Sequence, residues 1–169
     1  MKINDSLEIR PITQDELEAV LEVYELCEDF LALGPVAKAS MQMVAKDIEV
    51  SQNEGSRFCG IFGDGKMIGV VDYARSGYEG EPRHACIVLL MIAETSRGQG
   101  IGRAVVEAVE ADIRQNPEVT AILSGVQVNN PQAIQFWRRN GYRITGGPEL
   151  MPDQTVVFHL RKDIHPDPT

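Results

Sequence analysis

The most constraining stretch of the chain is residues 84–102. An almost wholly apolar, partly β-branched run from His84 to Ile92 leads into Ala93-Glu94-Thr95-Ser96-Arg97-Gly98-Gln99-Gly100-Ile101-Gly102. The run predicts a strand buried on both faces near the middle of a sheet. Behind the glycines, Ile101, Val105, Val109 and Ile113 recur every fourth residue, which predicts a helix that Asn116-Pro117 stops. A strand, a glycine loop and a helix start, in that order, make an anion site. Glycines let successive N–H groups converge, and the helix start adds unpaired donors and a partial positive charge. A tight connection whose glycines only permit close packing explains the same residues equally well.

The remaining elements are read from periodicity and turn chemistry. Leu7-Glu8-Ile9-Arg10 alternates as a short strand, and Thr13 with Glu16 has capping-box spacing ahead of Leu17, Val20, Leu21, Tyr24, Cys27 and Leu31. This predicts one helix running to Gly34-Pro35. A second helix is expected over residues 36–51 on a thin stripe of Met41, Val44, Ile48 and Val50. Residues 58–62 and 67–73 predict an antiparallel hairpin around Gly63-Asp64-Gly65-Lys66. Residues 120–128 form another strand. Asn130-Pro131 supplies an N-cap and a first-turn proline, and Gly141 a left-handed C-terminal cap, for a helix of about ten residues. A turn-rich stretch from Gly146-Gly147-Pro148 to Pro152-Asp153 precedes the last strand, residues 155–160. These elements assemble into one α/β layer structure over residues 1–169, without repeat or linker.

Composition narrows the partners. The 169 residues are 43% hydrophobic and 24% charged, with a net charge of -9. A chain this long buries a self-sufficient core. Its acidity excludes a general phosphate-backbone binder, so no nucleic-acid partner is expected, whereas cationic partners stay open. The charge is uneven: six basic and four acidic residues from Arg97 to Arg143 give that segment +2 and leave -11 for the rest. Cys27, Cys59 and Cys86 fit no metal-ligand spacing and cannot all pair within the chain, so no metal is expected and the compartment is read as reducing. The first residues lack a signal-peptide apolar stretch, and the longest apolar run, residues 86–93, is too short to span a bilayer. Cytoplasmic localisation without a membrane partner is therefore expected.

Two nucleotide fingerprints fail on register. A Rossmann pattern needs Gly or Ala at position 103 or 105, where the chain has Arg103 and Val105, and the only Gly-Lys, Gly65-Lys66, precedes Met67 rather than Ser or Thr. What the residues do match is an acetyl-CoA signature of Arg or Gln, two residues, Gly, one residue, then Gly or Ala, here Arg97, Gly100 and Gly102. Downstream, Asn130-Pro131-Gln132-Ala133 is followed by Phe136-Trp137 and Gly141-Tyr142. On this ordered pair of motifs the chain resembles the GCN5-related N-acetyltransferases (GNAT family) over nearly its whole length, with the signature region at residues 84–143.

The resemblance implies a mixed, twisted, mostly antiparallel sheet of about seven strands flanked by about four helices. It implies transfer of an acetyl group from acetyl-CoA to a primary amine, of a small molecule, peptide or protein, by direct attack in a ternary complex. The alternative is a weak or inactive acyl-CoA-binding or regulatory module of the same fold, and a homodimer stays open. By position, backbone N–H groups of Gly98, Gln99, Gly100, Ile101, Gly102 and Arg103 would hold the pyrophosphate, with the Arg97 and Arg103 side chains as charge partners. An N–H of Met91 or Ile92 would face the thioester oxygen, where negative charge grows. Asn130 is a cofactor contact or simply the helix cap. Trp137 stands where many relatives carry an acidic Tyr, and so packs beside the CoA thiol end or in the core. Cys86 stands where some carry a catalytic Glu, which leaves His84, two residues earlier on the same strand face, as the candidate base or as a structural residue. Asp72, Glu79 and Glu81 are further carboxylates on the acceptor side, and Glu149 and Asp153 could meet a cationic acceptor.

Overall fold

In the computed structural model, which describes residues 1–165, the Asp64-Gly65 turn adopts the left-handed angles its sequence predicts, with φ of 49° and 79°. Paired positive φ values match the twist of the flanking strands, and the turn joins β2 (Arg57–Gly63) to β3 (Lys66–Ala74). With β1 (Leu7–Pro11), β4 (His84–Ile92), β5 (Ala121–Gln127), β6 (Arg143–Leu150) and β7 (Val156–Asp163), these strands form one seven-stranded sheet in the order β1-β2-β3-β4-β5-β7-β6. Every pairing is antiparallel except that of β4 with β5.

The helices are α1 (Leu17–Glu25), α2 (Glu28–Leu31), α3 (Met41–Glu54), α4 (Ile101–Ile113) and α5 (Pro131–Arg139). Neighbouring β3 residues separate the two layers: Val70 packs with Val20, Val23, Tyr24 and Val44 of α1 and α3, while Val71 packs with Val105, Val109 and Ile113 of α4. Full burial of such a side chain stabilises the fold by about 1.5–3 kcal/mol, and the four-residue spacing on α4 brings a whole stripe inside.

Three expectations change. The single helix expected up to Gly34 is broken, because the Leu26 carbonyl that would continue it accepts instead from the Glu94 N–H at 3.0 Å. A contact from a distant loop overrides local periodicity there. The second helix starts later than expected, at an N-cap where the Ser40 hydroxyl accepts from Met43 N–H at 3.2 Å, and ends at Gly55 with a φ of 72°. Of the stretch expected to be turns, residues 146–150 belong to β6, whereas Pro152 and Asp153 do form a turn. The Gly146-Gly147-Pro148 segment lies on the sheet edge with two register shifts, where a proline and bulges are tolerated. Gly147 has a φ of 89°, and a Cβ there would lie 2.5 Å from the Val157 carbonyl, so its glycine serves the edge pairing rather than a turn. No helix among the described residues is long and apolar enough to cross a membrane.

Candidate functional site

The site begins where two strands part. β4 and β5 pair only from His84↔Ala121 to Cys86↔Leu123, after which β5 continues against β7 as far as Gln127↔Val157 and β4 against β3 as far as Gly69↔Ile92. The Ser124 hydroxyl, donating to the Ile87 carbonyl at 2.8 Å, ties the strands at the apex of the gap. Beside it β4 carries a bulge: Tyr73 pairs with Ile87 and Asp72 with Leu89, so Val88 is left without an opposite residue. The extra residue switches the alternation. Ala85 and Ile87 face α4, yet beyond the bulge it is Leu90 and Ile92 that do so, while Leu89 and Met91 turn toward α1 and α3. Val88 itself is 42% exposed and Leu89 and Leu90 are half-buried, so β4 is not closed on both faces as expected: beyond the apex its β5 side is open.

Backbone direction follows from the same register. Ala93 N–H donates to the Ile68 carbonyl on the β3 side at 2.8 Å. Polar groups alternate along a strand, so Met91 directs its N–H to β3, whereas Leu90 and Ile92 direct theirs into the gap. Of the two residues singled out in the sequence, Ile92 has the required direction. Met91 is a 4% exposed core residue. Leu90, missed in the sequence because the bulge is invisible there, shares the direction of Ile92.

After β4 a short turn, Glu94–Ser96, leads to the glycines. Gly98 and Gly100 have φ of 76° and 77°, and a Cβ on either would meet nothing within 4 Å. These glycines therefore serve the left-handed backbone and leave the surface above it open. Gly100 is the N-cap of α4 and no side chain caps it. The N–H groups of Ile101, Gly102 and Arg103 precede the first intrahelical donor, Ala104, which reaches the Gly100 carbonyl at 3.1 Å. Three convergent donors at a helix start suit a phosphate. Gly102 also has a packing role, since its Cβ would approach the Phe136 ring of α5 at 3.1 Å. Gln99 lies exposed between the two left-handed glycines.

The charge partners are placed differently from expectation. Arg97 is spoken for: its Nη1 and Nη2 donate to the two Asp29 carboxylate oxygens at 2.6 and 3.1 Å, and its Nε donates to the Ile92 carbonyl at 2.8 Å. That pair holds the Asp29 carboxyl below its ordinary range and raises the guanidinium pKa. Arg103 makes only an exposed pair with Glu107 through Nε at 2.9 Å among the described residues, which leaves the rest of its guanidinium at the surface near the helix start.

The other expected site residues are engaged as follows. Trp137 is 6% exposed and stacks edge-on between Phe136 and Tyr142, with centroids 5.3 and 4.9 Å away; it packs in the core. Asn130 caps α5, its side chain accepting from Ala133 N–H at 3.1 Å. His84 opens β4 beside Arg161, with Nε2 and Nη1 3.5 Å apart. Six residues of extended chain separate it from Leu90, about 20 Å at roughly 3.3 Å per residue. The gap itself opens just after Cys86, so that distance applies to an amine held beside Leu90. Asp72 is 4% exposed, accepts from the Ser51 hydroxyl at 2.8 Å, and has its pKa raised by burial. Glu81 accepts from Arg83 N–H, Glu149 pairs with His159, and Asp153 accepts from Thr155. Among the described residues no group of three or more His, Cys, Asp or Glu is placed to hold a metal ion.

Residues 26–34 cross the open end of the gap. On the β4 side they are held by Glu94 N–H on the Leu26 carbonyl, by the Cys27 thiol on the Ile92 carbonyl at 3.4 Å, and by the Asp29–Arg97 pair. On the β5 side, Asn129 Nδ2 donates to the Leu33 carbonyl at 3.0 Å, and a Cβ on Gly34 would touch Thr155 at 3.5 Å. Asp29 carries no signal in the sequence, where Cys27 reads only as one position of the apolar helical stripe. Burial pushes the Cys27 thiol pKa up, with Arg97 pulling the other way.

A family model described as the acetyltransferase (GNAT) family matches residues 18–142. Among solved structures, an acetyltransferase from Thermus thermophilus is 23% identical over 97% of this chain and 100% of that one, with a TM-score of 0.79. An acetyltransferase from Salmonella typhimurium, described as modifying the N-terminal serine of a protein of the 50S ribosomal subunit, is 19% identical over 97% and 98% of the two chains, with a TM-score of 0.76. A third, yncA from the same organism, with its cofactor acetyl-CoA, is 14% identical over 94% of each chain, with a TM-score of 0.67. No curated protein sequence matches the chain.

Proposed function

Because the chain belongs to the GNAT acetyltransferase family, we propose that it transfers an acetyl group from acetyl-CoA to a primary amine while both are bound. One observation carries the reading: β4 and β5 part just ahead of a glycine loop whose helix start has three amides and no side-chain cap. Acetyl-CoA, when bound, supplies the acyl thioester. The chain supplies the N–H groups of Ile101, Gly102 and Arg103 for the diphosphate, and the gap-facing N–H groups of Leu90 and Ile92 for the pantetheine arm and the carbonyl oxygen. A fixed donor at that oxygen stabilises the transition state because charge develops there.

Proton movement falls to solvent in this reading. An ammonium has no lone pair and must be deprotonated before attack, but His84 is remote from Leu90 and Asp72 is buried under α3. Trp137 offers no acidic proton, so the departing thiolate, a weak base, leaves unassisted or takes a proton from water. His84→Gln is expected to leave kcat and the pH–rate profile unchanged; a lost limb in the profile would return His84 to the mechanism.

The acceptor is proposed to be cationic, a small amine or a protein N-terminus. The body outside residues 97–143 carries -11, which favours encounter with a positive partner and predicts an acceptor KM that rises with salt. The three cysteines are buried and free, which suits work in the cytoplasm. Calorimetry with acetyl-CoA, followed by thiol release against polyamines, aminoglycosides, amino acids and N-terminal peptides, tests the proposal. No binding at millimolar acetyl-CoA sinks it. Binding with every acceptor blank favours the second reading, a non-catalytic acyl-CoA module, which the absence of a side-chain acid at Trp137 motivates.

A further inference from the structure

We propose that Asp29 is a positioning residue for acyl-CoA binding: by holding Arg97 it pins the end of β4 and the base of the glycine loop in the form that receives a diphosphate. The inference rests on the acetyl-CoA reading above. An Arg–carboxylate pair bonded through both oxygens fixes the plane of the guanidinium. With Nη1 and Nη2 on Asp29 at 2.6 and 3.1 Å, Nε is aimed at the Ile92 carbonyl, 2.8 Å away. The Arg97 side chain thereby staples residue 97 back to residue 92. Inside the staple, Ser96 N–H reaches the Ala93 carbonyl at 2.8 Å, Arg97 N–H reaches Glu94 at 3.3 Å, and Glu94 N–H is held by Leu26. Gly98 and Gly100 leave from this closed base, and Ile92, at its other end, turns its N–H into the gap.

Among the described residues the only other side chain on the Ile92 carbonyl is the Cys27 thiol at 3.4 Å, a weak donor. Without Asp29 the guanidinium loses its fixed plane and the carbonyl loses its stronger partner. The loop must then be ordered at the moment of binding, which weakens affinity. The pair is 36% and 53% exposed at its two side chains, and an ion pair so accessible to water contributes little to stability. Asp29 also neutralises Arg97, so the arginine acts here as a strut and not as a phosphate ligand. The sign of the effect separates these roles: a phosphate ligand sequestered by Asp29 would bind acetyl-CoA more tightly once Asp29 is removed.

The test is calorimetry of acetyl-CoA with wild type, Asp29→Asn, Arg97→Ala and the double variant, with melting curves alongside. Asp29→Asn is expected to weaken binding and raise the KM for acetyl-CoA about 5–10-fold, with a smaller change in kcat. Its Tm should stay within about 2 °C of wild type. The double variant should match Arg97→Ala alone, since Asp29 acts through Arg97. In protein free of acetyl-CoA, Cys27, which is 0% exposed, should be labelled several-fold faster by a thiol reagent, located by mass spectrometry, once the staple is loosened. Unchanged or tighter binding by Asp29→Asn, or additive losses in the double variant, would overturn the inference. Wild-type protein that fails to bind acetyl-CoA removes the acetyl-CoA reading and this inference with it. Wild-type binding with an unaffected Asp29→Asn removes this inference alone.

Discussion

Glu110→Ala is expected to destabilise the protein by about 3–5 kcal/mol, the range for breaking a buried ion pair on one side. Glu110 lies on α4 with 2% exposure and accepts four hydrogen bonds from three side chains: Lys162 Nζ at 2.9 and 2.8 Å on its two oxygens, Tyr142 OH at 3.1 Å and Arg114 Nη2 at 3.3 Å. Lys162 also donates to the Asn140 carbonyl at 2.8 Å, just past α5. One carboxylate therefore joins α4, β7 and the end of α5. Truncating it leaves the hydroxyl of buried Tyr142 without its acceptor and the Lys162 ammonium with the Asn140 carbonyl in place of a counter-charge. For a domain of this size the loss corresponds to a Tm lower by roughly 10 °C. Removing both charges, as Glu110→Met with Lys162→Met, should restore much of it, because the penalty lies in the orphaned partner. A Tm within about 2 °C of wild type for Glu110→Ala would show that the network contributes little. The consequence extends to the site, since the same contacts hold α5, whose Phe136 packs against Gly102 at the start of α4.

The largest expected effect on function is at Gly100. Gly100→Glu should weaken acetyl-CoA binding at least about 100-fold, equivalent to about 2.7 kcal/mol. Two causes add. A non-glycine residue at a φ of 77° is strained by about 1–3 kcal/mol. A carboxylate on the open surface above the loop also repels the anion that α4 is oriented to receive, by about 1–4 kcal/mol at 4 Å depending on the local dielectric. Gly100→Ala separates the causes: no atom lies within 4 Å of its Cβ, so it adds strain without charge and should lose markedly less affinity than Gly100→Glu. Calorimetry on both variants, with melting curves to establish folding, checks this. A folded Gly100→Glu protein with wild-type affinity would show that the diphosphate lies elsewhere.

Features carried by short-range chemistry were readable from the residues alone. Asp64-Gly65 can hardly be anything but a hairpin turn, and Asn130-Pro131 caps α5 as its spacing demands. The four-residue recurrence on α4 faces inward because a helix has no other way to bury it. The glycine loop belongs to this group too, since Gly98 and Gly100 do need left-handed backbone. The same legibility made the family resemblance specific, and the family model covers the same ground.

Where distant residues compete for one group, local pattern fails. α1 stops at Glu25 because Glu94 takes the carbonyl that would extend it, and nothing near Leu26 announces that. Arg97 looked like a phosphate partner because the sequence shows its charge but not Asp29, 68 residues away, which takes that charge up. The direction of the Ile92 N–H depends on a bulge at Val88 that exists only in pairing with β3. Trp137 falls on the inner side because Phe136 and Tyr142 close around it. His84 shares a strand with the site, and only the point at which β5 departs shows that it lies on the stretch of β4 still paired with β5. By itself, then, the sequence determined most of the elements, the loop able to take an anion and the family. Tertiary structure decided which donors face the gap and which charges are already paired, because direction and pairing depend on residues far apart in the chain competing for the same hydrogen bonds.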